Sequence, residues 1–204
     1  PEAHFCEAVY RLVTAEFARG WEEYEWRWQV KEAGVARAFE APLWLGHEDL
    51  SGKTILLYSE QGYGDTLQFC RYAPRVAALG ARVILEVQPP LQPLLARMTG
   101  PARVFATGDP LPAFDYRCPL MSLPLAFHTD LRTIPAETPY LGADPARIEA
   151  WRTRLGPAAG PRIGIAWSGR PAFRNDHNRS IRLEGFLPLL TAAEEVSLAR
   201  RIEC

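Results

Sequence analysis

Gln61-Gly62-Tyr63-Gly64-Asp65, with Gln68 three residues further on, is the first pattern in this chain that could do chemistry. Glycines let a backbone come close to a ligand. A carboxylate at the mouth of such a turn can accept a proton or orient a hydroxyl. The same residues also suit a local task. Asp65 followed by Gln68 fits a helix N-cap box, worth about 1 kcal/mol. The two roles coexist, because a capping carboxylate at the carboxyl end of a strand also faces a cleft.

A second cluster runs from Ser168 and Gly169 through Arg170, Arg174, Asn175, Arg179 and Ser180. Between Arg162 and Arg182 lie five arginines and one aspartate, about +4 with His177 neutral. Arginine forks, hydroxyls and free amides after a strand suit a diphosphate. A solvated loop with its arginines in water accounts for the composition equally well. Ser122, in a proline-stiffened stretch after a fourth strand, either contacts a ligand or packs. Other chemistries find no foothold. His4, His47, His128 and His177 are isolated and show no metal spacing. The third glycine of a dinucleotide fingerprint is missing, so a nicotinamide cofactor is disfavoured and no cofactor is expected. There is no G-x-S-x-G elbow and no phosphate loop of the G-x-x-x-x-G-K-[ST] type.

These residues need strands and helices to place them. Residues 53–58 read as a buried parallel strand, and a helix opens at Asp65 and runs to Leu79, interrupted near Pro74. Gly80 closes it. Further strands are expected over 81–87, 103–106 and 115–120. A helix is expected from Pro89 through Met98, and another over 145–155 with Asp144 as its cap. This alternation is the signature of a parallel sheet with helices on its faces. Residues 3–33 are helical in pattern, and Gly20 reads as the turn between two helices. Phe17, Trp21, Tyr24 and Trp28 form an aromatic stripe that either packs or faces a ligand. After the Gly- and Pro-rich stretch 156–161, residues 162–167 read as a fresh strand.

The 204 residues carry 48% hydrophobic side chains, enough for a packed core, and a net charge of -1. That balance argues against a general nucleic-acid binder. Four scattered cysteines argue for reduced thiols and a cytoplasmic setting. No apolar run is long enough for a membrane span. The first residue is Pro1, so the chain reads as a fragment.

Several stretches together resemble bacterial tetratricopeptide-repeat proteins with a glycosyltransferase-like domain. They are residues 20–28 (GWEEYEWRW), 42–46 (PLWLG), 52–56 (GKTIL), 59–72 (SEQGYGDTLQFCRY) and 118–124 (CPLMSLP). Residues 134–140 (IPAETPY) and 175–180 (NDHNRS) fit as well. The chain is more distantly similar to heptosyltransferases and O-GlcNAc transferases.

The resemblance implies an α/β, Rossmann-like amino-terminal half of a GT-B fold, preceded by short repeat-like helices. Its divisions would be 1–48 for repeat remnant and connection, 49–156 for the Rossmann-like domain, and 157–204 for a linker and an incomplete second domain. The full-length parent would move a sugar from a nucleotide-diphosphate donor to a protein or glycan hydroxyl. Asp65 would be the base. Gln61, Gly62, Tyr63, Gly64, Gln68 and Ser122 would line the acceptor side. Ser168, Gly169, Arg170, Arg174, Asn175, Arg179 and Ser180 would hold the diphosphate. The truncated chain would be inactive and could pair with a copy of itself through exposed strand edges. The other reading is a non-catalytic binding or assembly module on the same scaffold.

Overall fold

The computed structural model describes residues 1–30, 37–157, 160, 164–169 and 175–188. They divide into two compact units, Pro1–Arg147 and Ile148–Cys204.

The first unit opens with a helical hairpin. Helix α1 (Glu2–Val13) and helix α2 (Phe17–Tyr24) are followed by a 3-10 turn, Glu25–Gln29. The reversal falls at Ala15, whose φ is +64°, and not at Gly20. Gly20 sits inside α2 and is buried against α1. A Cβ there would meet Leu12 Cδ2 at 2.8 Å, so the glycine permits close helix packing and makes no turn.

Strand β1 (Thr54–Tyr58) leads through a short turn to α3 (Tyr63–Phe69), a 3-10 turn (Cys70–Tyr72) and α4 (Ala73–Ala78). The break between α3 and α4 comes just before Pro74, which lacks the donor an unbroken helix would need. Gly80 ends α4 with a φ of +83°. Strand β2 (Arg82–Val87) follows, then a 3-10 turn (Pro89–Leu91), α5 (Gln92–Leu95) and β3 (Arg103–Ala106). Strand β4 (Tyr116–Pro119), a 3-10 turn (Leu120–Ser122) and α6 (Leu123–Ala126) complete the layer. Helix α7 (Pro145–Leu155) starts where Asp144 Oδ1 accepts the Ala146 N–H at 2.8 Å.

The four strands form one parallel sheet in the order β3-β2-β1-β4. Alternate residues of the central strands face different layers. Ile55, Leu57, Val83, Leu85 and Val87 pack under helices with Phe69, Ala73, Val76, Leu95 and Leu123. Leu56, Tyr58, Ile84 and Phe105 face the other way and are covered by Phe39, Leu111 and Phe114. Burial on both faces explains why β1 reads as an unbroken apolar run. Segment 42–44 extends the β4 edge, with the Trp44 N–H donating to Arg117 O at 2.9 Å.

In the second unit, residues 164–167 take no strand pairing among the described residues, unlike the strand expected over 162–167. Arg162 lies outside the described residues. No helix among the described residues is long and apolar enough to cross a membrane. A GT-B half and a repeat array are finer assignments than this four-stranded parallel layer supports.

Candidate functional site

The strand order reverses between β1 and β4. The chain leaves β1 toward β2 on one side and returns from β3 to β4 on the other. Loops after two such strands diverge and open a crevice at their carboxyl ends, where parallel sheets accept ligands. Here the chain fills that crevice with one of its own side chains.

Arg27, from the 3-10 turn after α2, is 1% exposed. Its Nε and Nη2 donate to the two oxygens of Glu60, just past β1, each at 3.0 Å. Nη2 also donates to Ser122 Oγ at 2.7 Å, just past β4. Nη1 donates to Glu25 Oε1 at 2.7 Å and to Tyr24 O at 3.2 Å. The guanidinium has five N–H donors, and all five are satisfied. Its carbon lies 4.8 Å from the Tyr24 ring centre and 4.3 Å from that of Trp28. Ser122 Oγ in turn donates to Glu25 Oε1 at 2.7 Å, and the Met121 N–H donates to Glu60 Oε1 at 3.1 Å.

Burial pulls the Arg27 guanidinium down, but Glu25 and Glu60 outweigh it and hold its pKa above the ordinary value. For Glu60 burial wins, and its carboxyl is pushed up in spite of Arg27 and the Met121 N–H. Two carboxylates share one arginine, so the cluster carries an excess negative charge when both are ionised. Tyr24, beside them, is pushed up to about 12 by burial. Ser122 is fully buried and committed to this network, so it does not line an open acceptor surface.

The glycine turn lies beside the crevice. Helix α3 begins at Tyr63, with Gly62 as its N-cap, two residues before the start expected at Asp65. Asp65 is therefore the third helical residue. Its Oδ2 reaches back to accept the Gly62 N–H at 2.9 Å. This is the carboxylate half of a capping box; glycine has no side chain to supply the other half. Gln88, after β2, pins the turn by donating to Gln61 O at 2.8 Å and accepting from Thr66 Oγ1 at 2.9 Å. Tyr63, Gly64 and Gln68 are exposed, and Asp65 is half-buried. Of the expected acceptor-side residues, Gln61 to Gly64 stay together beside Asp65, the expected base.

In the second unit the Gly169 N–H donates to Ser180 Oγ at 2.9 Å, and that hydroxyl donates to Asp176 Oδ2 at 2.9 Å. The groups expected to greet a diphosphate thus bond to one another, with an aspartate already in the loop. Asn175 accepts from Asn178 Nδ2, and Asn175 and Arg179 are exposed. Ser168 is exposed and Gly169 half-buried. Arg170 and Arg174 lie outside the described residues.

The aromatic stripe packs. Trp21 meets Phe69 edge-on at 6.1 Å and Tyr24 at 5.9 Å. Sequence reasoning missed Arg27, Glu25 and Glu60 as a unit. The signal was an arginine set between Trp26 and Trp28, and a glutamate directly after a buried strand.

Comparison with known proteins overturns the glycosyltransferase resemblance. Residues 185–203 match the family described as sigma-70 factor, region 1.2. Over 186 residues the chain is 29% identical to Protein FlbA of Caulobacter vibrioides, an alignment that takes in 80% of this chain and 30% of FlbA. The chain thus spans about a third of the length of that relative. No solved structure matches. Neither match names a glycosyltransferase or a tetratricopeptide-repeat protein. The expected transfer reaction, its nucleotide-sugar donor and its protein or glycan acceptor are withdrawn, and so is the non-catalytic module built on a glycosyltransferase scaffold. The pairing of two copies through strand edges finds no support in either match.

Proposed function

We propose that this chain belongs to a FlbA-like regulatory protein that acts by contact with the transcription apparatus. The observation that carries this reading is the likeness of residues 185–203 to sigma-70 factor region 1.2. A segment like part of a sigma factor points to RNA polymerase as partner. The charge of that segment favours a protein surface over nucleic acid. Its acidic residues are Glu194, Glu195 and Glu203, and its basic ones are Arg200 and Arg201, with no cationic excess to neutralise phosphates. The geometry of the first unit is compatible with such a role. The crevice that would take a small substrate is occupied by Arg27, and Asp65 is engaged in starting a helix.

The test is co-sedimentation of the full chain with purified core RNA polymerase, with and without a sigma-70 factor as competitor. Binding that the sigma factor displaces, and that deletion of residues 185–204 removes, is the expected outcome. The reading falls if the core enzyme does not bind at about 10 μM, a concentration at which weak contacts are still seen. It falls equally if binding survives the deletion, or if the chain binds DNA alone.

A further inference from the structure

The hairpin of α1 and α2 brings Glu23 up to two side chains of α1. His4 and Glu7 stand one turn apart on the same face of α1. Glu23, on α2, faces them. One ligand atom from each of the three lies within 4.8 Å of the others. His4 Nδ1 is 2.6 Å from Glu23 Oε2. The imidazole is held flat against Trp26, with ring centres 4.2 Å apart and planes 8° from parallel.

We propose that His4, Glu7 and Glu23 form a transition-metal site, suited best to Zn²⁺. An imidazole nitrogen with two carboxylate oxygens is a ligand set that zinc accepts, and it leaves a fourth position for water. Tetrahedral zinc, with ligands about 2 Å away, sets those ligands about 3.3 Å apart. The three groups are half-buried at the surface, and their ligand atoms lie within 4.8 Å of one another.

Two neighbouring arginines also contact these carboxylates. Arg11 donates to Glu7 Oε1 at 2.7 Å, and Arg19 lies 3.4 Å from the same oxygen and 3.8 Å from Glu23 Oε1. The other Glu23 oxygen, Oε2, is the one that meets the imidazole. Ligating carboxylates held by outer hydrogen bonds keep their orientation. The arginines also repel a dication, which sets the expected affinity in the micromolar range and not lower. The imidazole discriminates against Mg²⁺ and Ca²⁺, which take oxygen ligands. No residue here belongs to the segment matched by the sigma-70 region, so this site stands or falls apart from the proposed partner.

The test is a thermal melt of the full chain with Zn²⁺, Co²⁺ or Mg²⁺ added, paired with calorimetric titration. Zn²⁺ or Co²⁺ at about a hundred times a micromolar dissociation constant should raise the midpoint by about 3 °C or more, and millimolar Mg²⁺ should not. His4→Ala and Glu23→Gln should each weaken zinc binding about tenfold or more. His47→Ala, which alters an exposed histidine elsewhere, should leave it unchanged. Circular dichroism of each variant checks that the hairpin still folds. The proposal is overturned if zinc gives no shift. It is overturned too if the shift persists in both His4→Ala and Glu23→Gln.

Discussion

Two charged clusters in the first unit are built from the same kinds of residue and come out differently. At Arg27 the side chains are 1% exposed for the arginine and 6% for Glu60, and every guanidinium donor has an acceptor. At His4 the histidine side chain is 44% exposed, Glu23 15% and Glu7 33%. The first cluster seals the end of a sheet. The second keeps three ligand atoms within 4.8 Å of one another at a partly exposed position. Charge content does not separate a structural cluster from a candidate ligand site; closure does. A saturated, enclosed ion pair has nothing left to offer a ligand. A half-open one keeps an unfilled position.

The largest test of this contrast is Arg27→Ala. It would leave Glu60 and Glu25 in an apolar setting without their shared cation. Losing one partner of an enclosed pair costs about 3–5 kcal/mol. Urea unfolding of the variant should show a loss of that order. A loss below about 1 kcal/mol, the range of surface pairs, would mean the cluster is no more enclosed than its counterpart. Lysine does not rescue, because one ammonium cannot replace a fork bound to four different groups.

Next comes the pH dependence at Glu60. Its folded pKa lies above the ordinary value of 4.5, burial being the leading cause. A raised carboxyl pKa means the folded state holds the proton more tightly than the unfolded state. The stability it contributes is therefore full below the unfolded value and is lost as pH rises through the folded value. Glu60→Gln removes that proton site. The stability of the wild type relative to the variant should rise as pH falls from 7 toward 4.5. If urea titrations show it falling, Arg27 outweighs burial and the cluster is wetter than its packing implies.

Most of the sheet was legible in the sequence because parallel strands buried on both faces betray themselves as short apolar runs. Residues 103–106 and 145–155 fall where periodicity and capping put them. Helix starts and turns were less legible. Gly20 is a turn residue by habit, yet here it is where Leu12 packs, and only the partner helix reveals that. Asp65 was placed at a helix start correctly in kind but two residues late, because Gly62 can cap without a side chain. The site was least legible. Arg27 and Glu60 are 33 positions apart and Glu25 and Ser122 are 97 apart, so no local pattern connects them. The same holds for His4 and Glu23, 19 apart, in a histidine that looked isolated when only histidines were compared.

A smaller effect is expected between these extremes, at Asp65. Its carboxylate accepts a single N–H and sits in the first turn of α3. Asp65→Ala should cost about 0.5–1 kcal/mol, the worth of a capping contact plus a favourable helix end. A much larger loss would move Asp65 into the company of Arg27.

At the other end stands His4→Ala without added metal. The imidazole makes one hydrogen bond to Glu23 and stacks on Trp26 from a partly exposed position. Arg19 remains near Glu23 after the change, so no carboxylate is stranded. The loss in urea unfolding should stay within about 0.5 kcal/mol, as for most surface substitutions. The variant therefore separates two quantities that Arg27→Ala cannot. A small change in metal-free stability together with a large drop in zinc affinity marks a site kept open for a ligand. A loss of several kcal/mol with no metal present would put His4 in the same structural class as Arg27, and the distinction between the clusters would collapse.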